Sequence, residues 1–224
     1  MGRLFRVLKR IYRAFSRKMT IEWAEPFIDE PCVFICNHAG AWGPIHMTIT
    51  FPLCDNVEAW CNDGVLSYKA CVPYVRKDYW WDPESKLAPL YNVTVPYLAA
   101  LIVPPVLRSA PTIPVHHDTR IMTTLRQSIR ALKDGKYLVI FPEEPNGHGS
   151  SCDEIHTGWM NLCTMYHRAT GKALRMYPVY IDVKGKHYKV AKPVMFDPAR
   201  TVDEQSGELG RILAAGIRGQ EIEY

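Results

Sequence analysis

Apolar and polar positions recur along this chain with two periods. At 100° per residue, Leu4, Val7, Leu8, Ile11, Tyr12, Phe15 and Met19 fall on one side of a helix over 2–19. Arg6, Lys9, Arg10, Arg13 and Arg17 fall on the other. Residues 20–36 predict a short strand, a turn at Asp29-Glu30-Pro31 and a buried strand over 32–36. A helix over 44–53 opens on Pro44, a good first-turn residue, and a strand over 57–61 follows. Regularity returns at 112. Strands are expected over 112–115, 137–141, 174–181 and 188–190, and helices over 119–133, 158–170 and 203–217. Gly135 and Gly171 close two of these helices.

Strands alternating with helices predict an α/β fold. We expect a single domain with a mixed, largely parallel central sheet flanked by helices, preceded by a basic amphipathic helix. Residues 1–20 would form that helix and 21–224 the domain, with an insertion at about 62–107. The insertion is the least regular part. Residues 62–92, with Tyr79-Trp80-Trp81-Asp82-Pro83, read first as a packed loop, with a lid or interfacial aromatic patch as the functional alternative. Residues 93–107 are apolar but hold Pro96, Pro104 and Pro105, and suit an interface-dipping helix or an acyl-chain wall. This run is shorter than the roughly 20 residues that span a bilayer, so no transmembrane helix is expected.

Charge sharpens the reading of the N-terminus. The net charge is +4, yet residues 1–18 hold seven of the 27 basic residues and no acid, which leaves 20 basic against 23 acidic residues elsewhere. A nucleic-acid surface is therefore not expected. An apolar stripe backed by cations suits a helix lying on an anionic phospholipid surface, at about 1 kcal/mol per cation. The alternatives are a helix packed on the domain with a solvated basic face, or a calmodulin-type target. The segment lacks the apolar core and cleavage site of a secretory signal, which suggests the cytoplasmic face of a membrane. Seven cysteines without a CxxC pair imply free, mostly buried thiols and no zinc site.

The candidate chemistry begins where the 32–36 strand ends, in Cys36-Asn37-His38-Ala39-Gly40-Ala41-Trp42-Gly43-Pro44. An apolar strand delivers Asn37 and His38 into a small-residue turn. Further on stand Ile113-Pro114-Val115-His116-His117-Asp118-Thr119-Arg120, Ile140-Phe141-Pro142-Glu143-Glu144 and Met176-Tyr177-Pro178-Val179-Tyr180. In this order the four blocks resemble those of the glycerolipid (lysophosphatidate-type) acyltransferase family, over roughly residues 28 to 217. The later segment Lys192-Pro193-Val194-Met195-Phe196-Asp197 has the same character.

The resemblance implies transfer of a fatty acyl group from a thioester, on coenzyme A or acyl carrier protein, to the hydroxyl of a lysophospholipid. No other cofactor and no metal would be needed. His38 would be the general base. Asn37 and the 39–43 turn would shape the site and supply oxyanion donors. His117 and Arg120 would face the acceptor phosphate, and Phe141, Pro142 and Glu143 would order the pocket.

Three positions depart from the family pattern. Gly43 stands where the family has the Asp that orients the base, Glu144 replaces a Gly, and the arginine aligns nearest His117. Glu143, Glu144, Asp118 and Asp153 are candidate substitutes for the missing carboxylate. Two alternatives stay open: an acyltransferase for an amine or other non-phosphate acceptor, and a non-catalytic lipid-binding member. Cys36, two residues before His38, admits a covalent reading, though it is expected in the core. His148, Asp153, Glu154 and His156 are read as a polar loop, not a metal site.

Overall fold

The computed structural model describes residues 1–39, 42–77, 81, 84–143 and 155–220. An eight-stranded sheet runs in the order β1-β7-β6-β2-β5-β3-β4, with β8 paired to β6. The strands are β1 (Thr20–Trp23), β2 (Cys32–Cys36), β3 (Val57–Asn62), β4 (Thr112–Val115), β5 (Tyr137–Ile140), β6 (Arg175–Asp182), β7 (His187–Val190) and β8 (Val194–Met195). The five strands β6, β2, β5, β3 and β4 are parallel, while β7 and β8 run antiparallel to β6. The chain is thus α/β with a mixed, mostly parallel sheet, as the periodicity predicts.

Strand β2 is buried along its whole length, and its side chains divide by parity. Val33 and Ile35 join Leu138, Ile140 and Met176 beneath α5 (Ile121–Lys133), α6 (Asn161–Thr170) and α7 (Val202–Ile217). Cys32, Phe34 and Cys36 face the opposite layer, with Val139, Tyr177 and Val179 against Met47 and Phe51. Met47 belongs to α2 (Trp42–Ile49), which starts two residues before Pro44. Trp23, Phe27, Phe34 and Tyr177 pack ring against ring in that layer, with centroids 5.1–6.5 Å apart.

The described residues of 62–92, expected as a packed loop, are largely helical, and 93–107 is helical as one of its two readings had it. Between β3 and β4 the chain forms a 3-10 turn, Asp63–Leu66, then α3 (Tyr68–Lys77) and α4 (Ala88–Ser109). Cys71 and Val75 of α3 pack on Ala99 and Ala100 of α4, with Trp81 and Ala88 at the same seam. Tyr79, Trp80, Asp82 and Pro83 lie outside the described residues. At 22 residues, α4 exceeds the apolar run expected over 93–107. By length and composition it is the one helix among the described residues that could cross a membrane.

The N-terminal helix α1 (Arg3–Phe15) is present, but it docks by a side that the pattern did not point to. Its buried residues are Phe5 and Lys9, the latter only 3% exposed. Lys9 Nζ donates to the Cys54 carbonyl at 3.1 Å and pairs with Asp55 at 2.8 Å. Arg13 Nε donates to the Ile49 carbonyl at 2.7 Å. Two backbone donors of the segment are tied to α4, Gly2 N–H to the Ser109 carbonyl and Phe5 N–H to Ser109 Oγ. Leu4, Val7, Ile11 and Phe15 stay exposed, Phe15 by 87%. The helix is therefore packed on the domain, as one reading of the sequence had it, while its apolar stripe remains exposed.

The Lys9 hydrogen bond is the main cause holding Asp55 below the usual carboxylate range. That contribution is present above an unfolded value near 4 and is lost as pH falls through the lower folded value. Lys9→Ala is expected to speed amide exchange in residues 3–15 at pH 7 and leave the β2 amides protected. In the unsubstituted protein the same loosening is expected only in acid, below about pH 4.

Candidate active site at the carboxyl edge of the sheet

Parallel pairing fixes which residues meet where the strands end. Val33, Phe34 and Ile35 lie opposite Leu138, Val139 and Ile140. Continued three residues, that register sets His38 beside Glu143. Glu143 Oε2 accepts the His38 backbone N–H at 2.5 Å, and the His38 ring packs on Phe141 with centroids 4.9 Å apart. Pro142 is buried between them, and its carbonyl accepts the His156 N–H at 3.0 Å. A bridge between Glu143 and Ile155 holds the far side of this turn. His38 and the Phe-Pro-Glu block, far apart in sequence, are thus one local structure.

Asn37 works on the opposite flank. Its Oδ1 accepts the Ile181 N–H at 2.7 Å, and its Nδ2 donates to the Ile181 carbonyl at 3.2 Å. The side-chain amide extends the β2–β6 pairing beyond the strand. Asn37 therefore acts by fixing the direction of the chain as it enters His38. Ala39, immediately after, has φ 45°, in the left-handed region where a Cβ costs roughly 1–2 kcal/mol. Strain directly beside a half-buried histidine is a feature that the sequence did not reveal.

Gly43 is a steric requirement. Its N–H donates to the His38 carbonyl at 3.0 Å, so α2 begins against the backbone it serves. A Cβ at position 43 would stand 2.3 Å from the His38 carbonyl oxygen and 2.8 Å from that of Asn37. Both obstacles are backbone, which cannot swing aside. An Asp does not fit here without rebuilding the turn. The same N–H, already used, is unavailable to an oxyanion, which corrects the expectation that Gly43 helps form that hole. Gly40 and Ala41 lie outside the described residues, as do Glu144, His148, Asp153 and Glu154.

The arginine block also reaches this edge. Asn62 of β3 pairs with Val115 of β4, so the next residues, Asp63 and His116, adjoin, and His116 Nδ1 lies 2.8 Å from Asp63 Oδ2. The sheet order sets His38, Glu143, Asp63 and His116 in a row across three strand spacings, about 14 Å from end to end. His117 Nε2 lies 3.1 Å from Asn62 Nδ2. Arg120 is engaged by two carboxylates, Asp118 at 2.8 Å and Asp63 at 3.2 Å. Its guanidinium holds Asp118 down to about 2. Asp118 binds Arg120, at the far end of this row from His38. Asp63, which organises both His116 and Arg120, was missed. A polar pair closing the apolar 57–61 run was its only signal.

Other groups are placed decisively. Cys36 is fully buried, and burial pushes its thiol far up, which removes it as a nucleophile. Among the described residues no three His, Cys, Asp or Glu side chains are grouped to hold a metal. A cavity of about 230 Å³ opens between α1, α2 and the β6–β7 connection, lined by Tyr12, Arg17, His46, Val183 and Lys186. No protein-family model and no curated protein matches the chain.

Two outcomes are expected. Gly43→Ala lowers stability by about 1–3 kcal/mol, seen as a drop in Tm, and Gly43→Asp lowers it at least as much with no gain in any turnover. Burial is the largest influence on Glu143 and raises its carboxyl above the usual value, against the His38 N–H and the His38 charge. A raised folded value means that the protonated form is favoured and stability falls as pH rises through it. Glu143→Gln keeps the acceptor for His38 N–H, so chemical denaturation is expected to show its stability advantage over the unsubstituted protein growing as pH rises above the usual carboxylate range. A difference constant with pH contradicts the assignment.

Proposed function

We propose that this protein is a peripheral membrane acyltransferase that moves a fatty acyl group from an acyl thioester to a hydroxyl acceptor, with His38 as general base. The observation that carries the reading is the meeting of His38 with Phe141 and Glu143 at the carboxyl ends of parallel strands, where α/β sheets present their ligands. The exposed apolar stripe of α1 supports placement at a lipid surface, in keeping with the cytoplasmic leaflet expected from the sequence.

In the proposed step, His38 takes the hydroxyl proton as the acceptor oxygen attacks the thioester carbonyl. The tetrahedral intermediate then collapses, breaks the C–S bond and expels the thiolate, which takes the proton back from His38. The acyl group has moved, and the protons balance. A base in this role contributes about 10²–10⁴-fold. Gly43 stands where a carboxylate would be expected, and contacts to main chain hold the described part of the turn: Glu143 on His38 N–H, Gly43 on His38 C=O and Asn37 on β6. The donor is acyl-coenzyme A or an acyl carrier protein thioester.

The acceptor is where a second reading has support. Arg120 already answers two carboxylates, so a phosphate arriving there must displace Asp118 or meet its charge. An uncharged or cationic acceptor escapes that conflict, whereas lysophosphatidate meets it.

Thiol release from palmitoyl-coenzyme A is the direct test, with lysophosphatidate, monoacylglycerol and a long-chain amine as competing acceptors. Acceptor-dependent release is expected to fall about 10²-fold or more in His38→Ala. A preference for lysophosphatidate that grows in Asp118→Asn supports the phosphate reading, and indifference to that change supports the second. Thioester cleavage unchanged in His38→Ala would refute the catalytic assignment. Lipid binding without cleavage of any thioester, including carrier-protein thioesters, would favour a binding protein.

A further inference from the structure

The α4 helix carries a surface that α1 alone does not explain. From Ala88 to Leu107 it has no charged residue. Its buried flank, which includes Pro96, Ala99 and Ala100, turns toward α3 and the domain. The other flank is bare: Leu90, Val93, Leu98, Leu101 and Ile102 are all exposed, Val93 and Leu101 by 63%. At 100° per residue they cover about half the helix. A water-facing helix normally shows the reverse pattern.

We infer that α4 lies in the bilayer interface as a second membrane element, its apolar flank sunk among lipid chains beside α1. This deepens the proposed peripheral placement and rests on it only for α1. The occupant is lipid because of the charge beside the patch. Ser109 at the end of α4 holds both Gly2 and Phe5, so α1 starts where α4 stops. That N-terminal segment brings Arg3, Arg6, Arg10 and Arg17, none with a carboxylate partner among the described residues. An uncharged apolar flank joined to a band of unneutralised arginines complements acyl chains under anionic headgroups.

The helix lies flat and does not span. Arg76 of α3 donates to the Asn92 carbonyl at 3.4 Å and to Tyr97 Oη at 3.3 Å, with its guanidinium 5.4 Å from the Tyr97 ring centre. A spanning α4 would draw that cation and the packed α3 into hydrocarbon, at a heavy cost for the charge. Lying flat, α4 wets one flank with lipid and keeps α3 on the other.

The two elements make separable demands. Binding through α4 does not depend on salt, and binding through α1 does. The full-length protein is to be measured by sedimentation with phosphatidylcholine vesicles in 0.5 M salt and with phosphatidylglycerol vesicles at low and high salt. Leu98→Glu/Leu101→Glu is expected to weaken phosphatidylcholine binding about tenfold or more. Arg6→Gln/Arg10→Gln is expected to leave phosphatidylcholine binding alone and flatten the salt dependence on phosphatidylglycerol. The Leu101→Trp variant reports independently of folding losses, since lipids brominated near the headgroup end of the chain should quench its fluorescence beyond that of the unsubstituted protein. A folded double glutamate variant that binds both vesicles normally overturns the inference, as does a Leu101→Trp variant with no added quenching. So does loss of a protein dimer in the double variant with no vesicle binding by either form, which would assign the flank to a second copy. Thiol release with detergent-dispersed substrates keeps the tests apart: it should survive the α4 changes and is lost only if the catalytic reading fails.

Discussion

The two-sided parallel pairing of β2 is the constraint on which the rest depends. Its five buried residues are locked between β5 and β6, with side chains committed to opposite layers. A slip of one residue would exchange those layers, so burial enforces the register more strictly than the roughly 1 kcal/mol of net energy in each hydrogen bond. Everything at the carboxyl edge inherits it: His38 meets Glu143 because Ile35 meets Ile140, and Asn37 reaches Ile181 because Cys36 meets Val179.

The same logic explains the absence of the expected aspartate. The α2 helix starts so close to the His38 backbone that no room is left for a Cβ at Gly43. The turn is organised by backbone contacts and by strain at Ala39, and Glu143 acts on the main chain of the histidine. On the proposed reading, these main-chain contacts set where the base sits at the edge. The arginine block differs in another way: Asp63 and Asp118 neutralise Arg120 before any ligand arrives.

Elements with strong periodicity were legible in the sequence. Strand β4 and the ends of α5, α6 and α7 fall within a few residues of expectation, because apolar spacing and glycine stops both act locally. The 62–92 region was not legible, and over 93–107 the helix was only one of two readings, since prolines inside an uncharged run obscure a helix whose burial is one-sided. The docking side of α1 was hidden for a related reason. Lys9 reads as a solvent residue until Asp55 and the Cys54 carbonyl are seen to receive it. His38, Phe141 and Glu143 could be singled out by type and order, but their contact is a product of register. Asp63 left almost no trace, because a carboxylate after a strand is common and its partners are distant in sequence.

Histidine side-chain nitrogen resonances would test the central claim most directly. The protein, labelled with ¹⁵N-imidazole and assigned through His38→Gln, would be titrated with a non-cleavable thioether analogue of palmitoyl-coenzyme A. The account predicts that the His38 resonances shift most, with a smaller response at His116 across the edge. Saturable binding that moves other histidines and leaves His38 still would place the thioester elsewhere and contradict it.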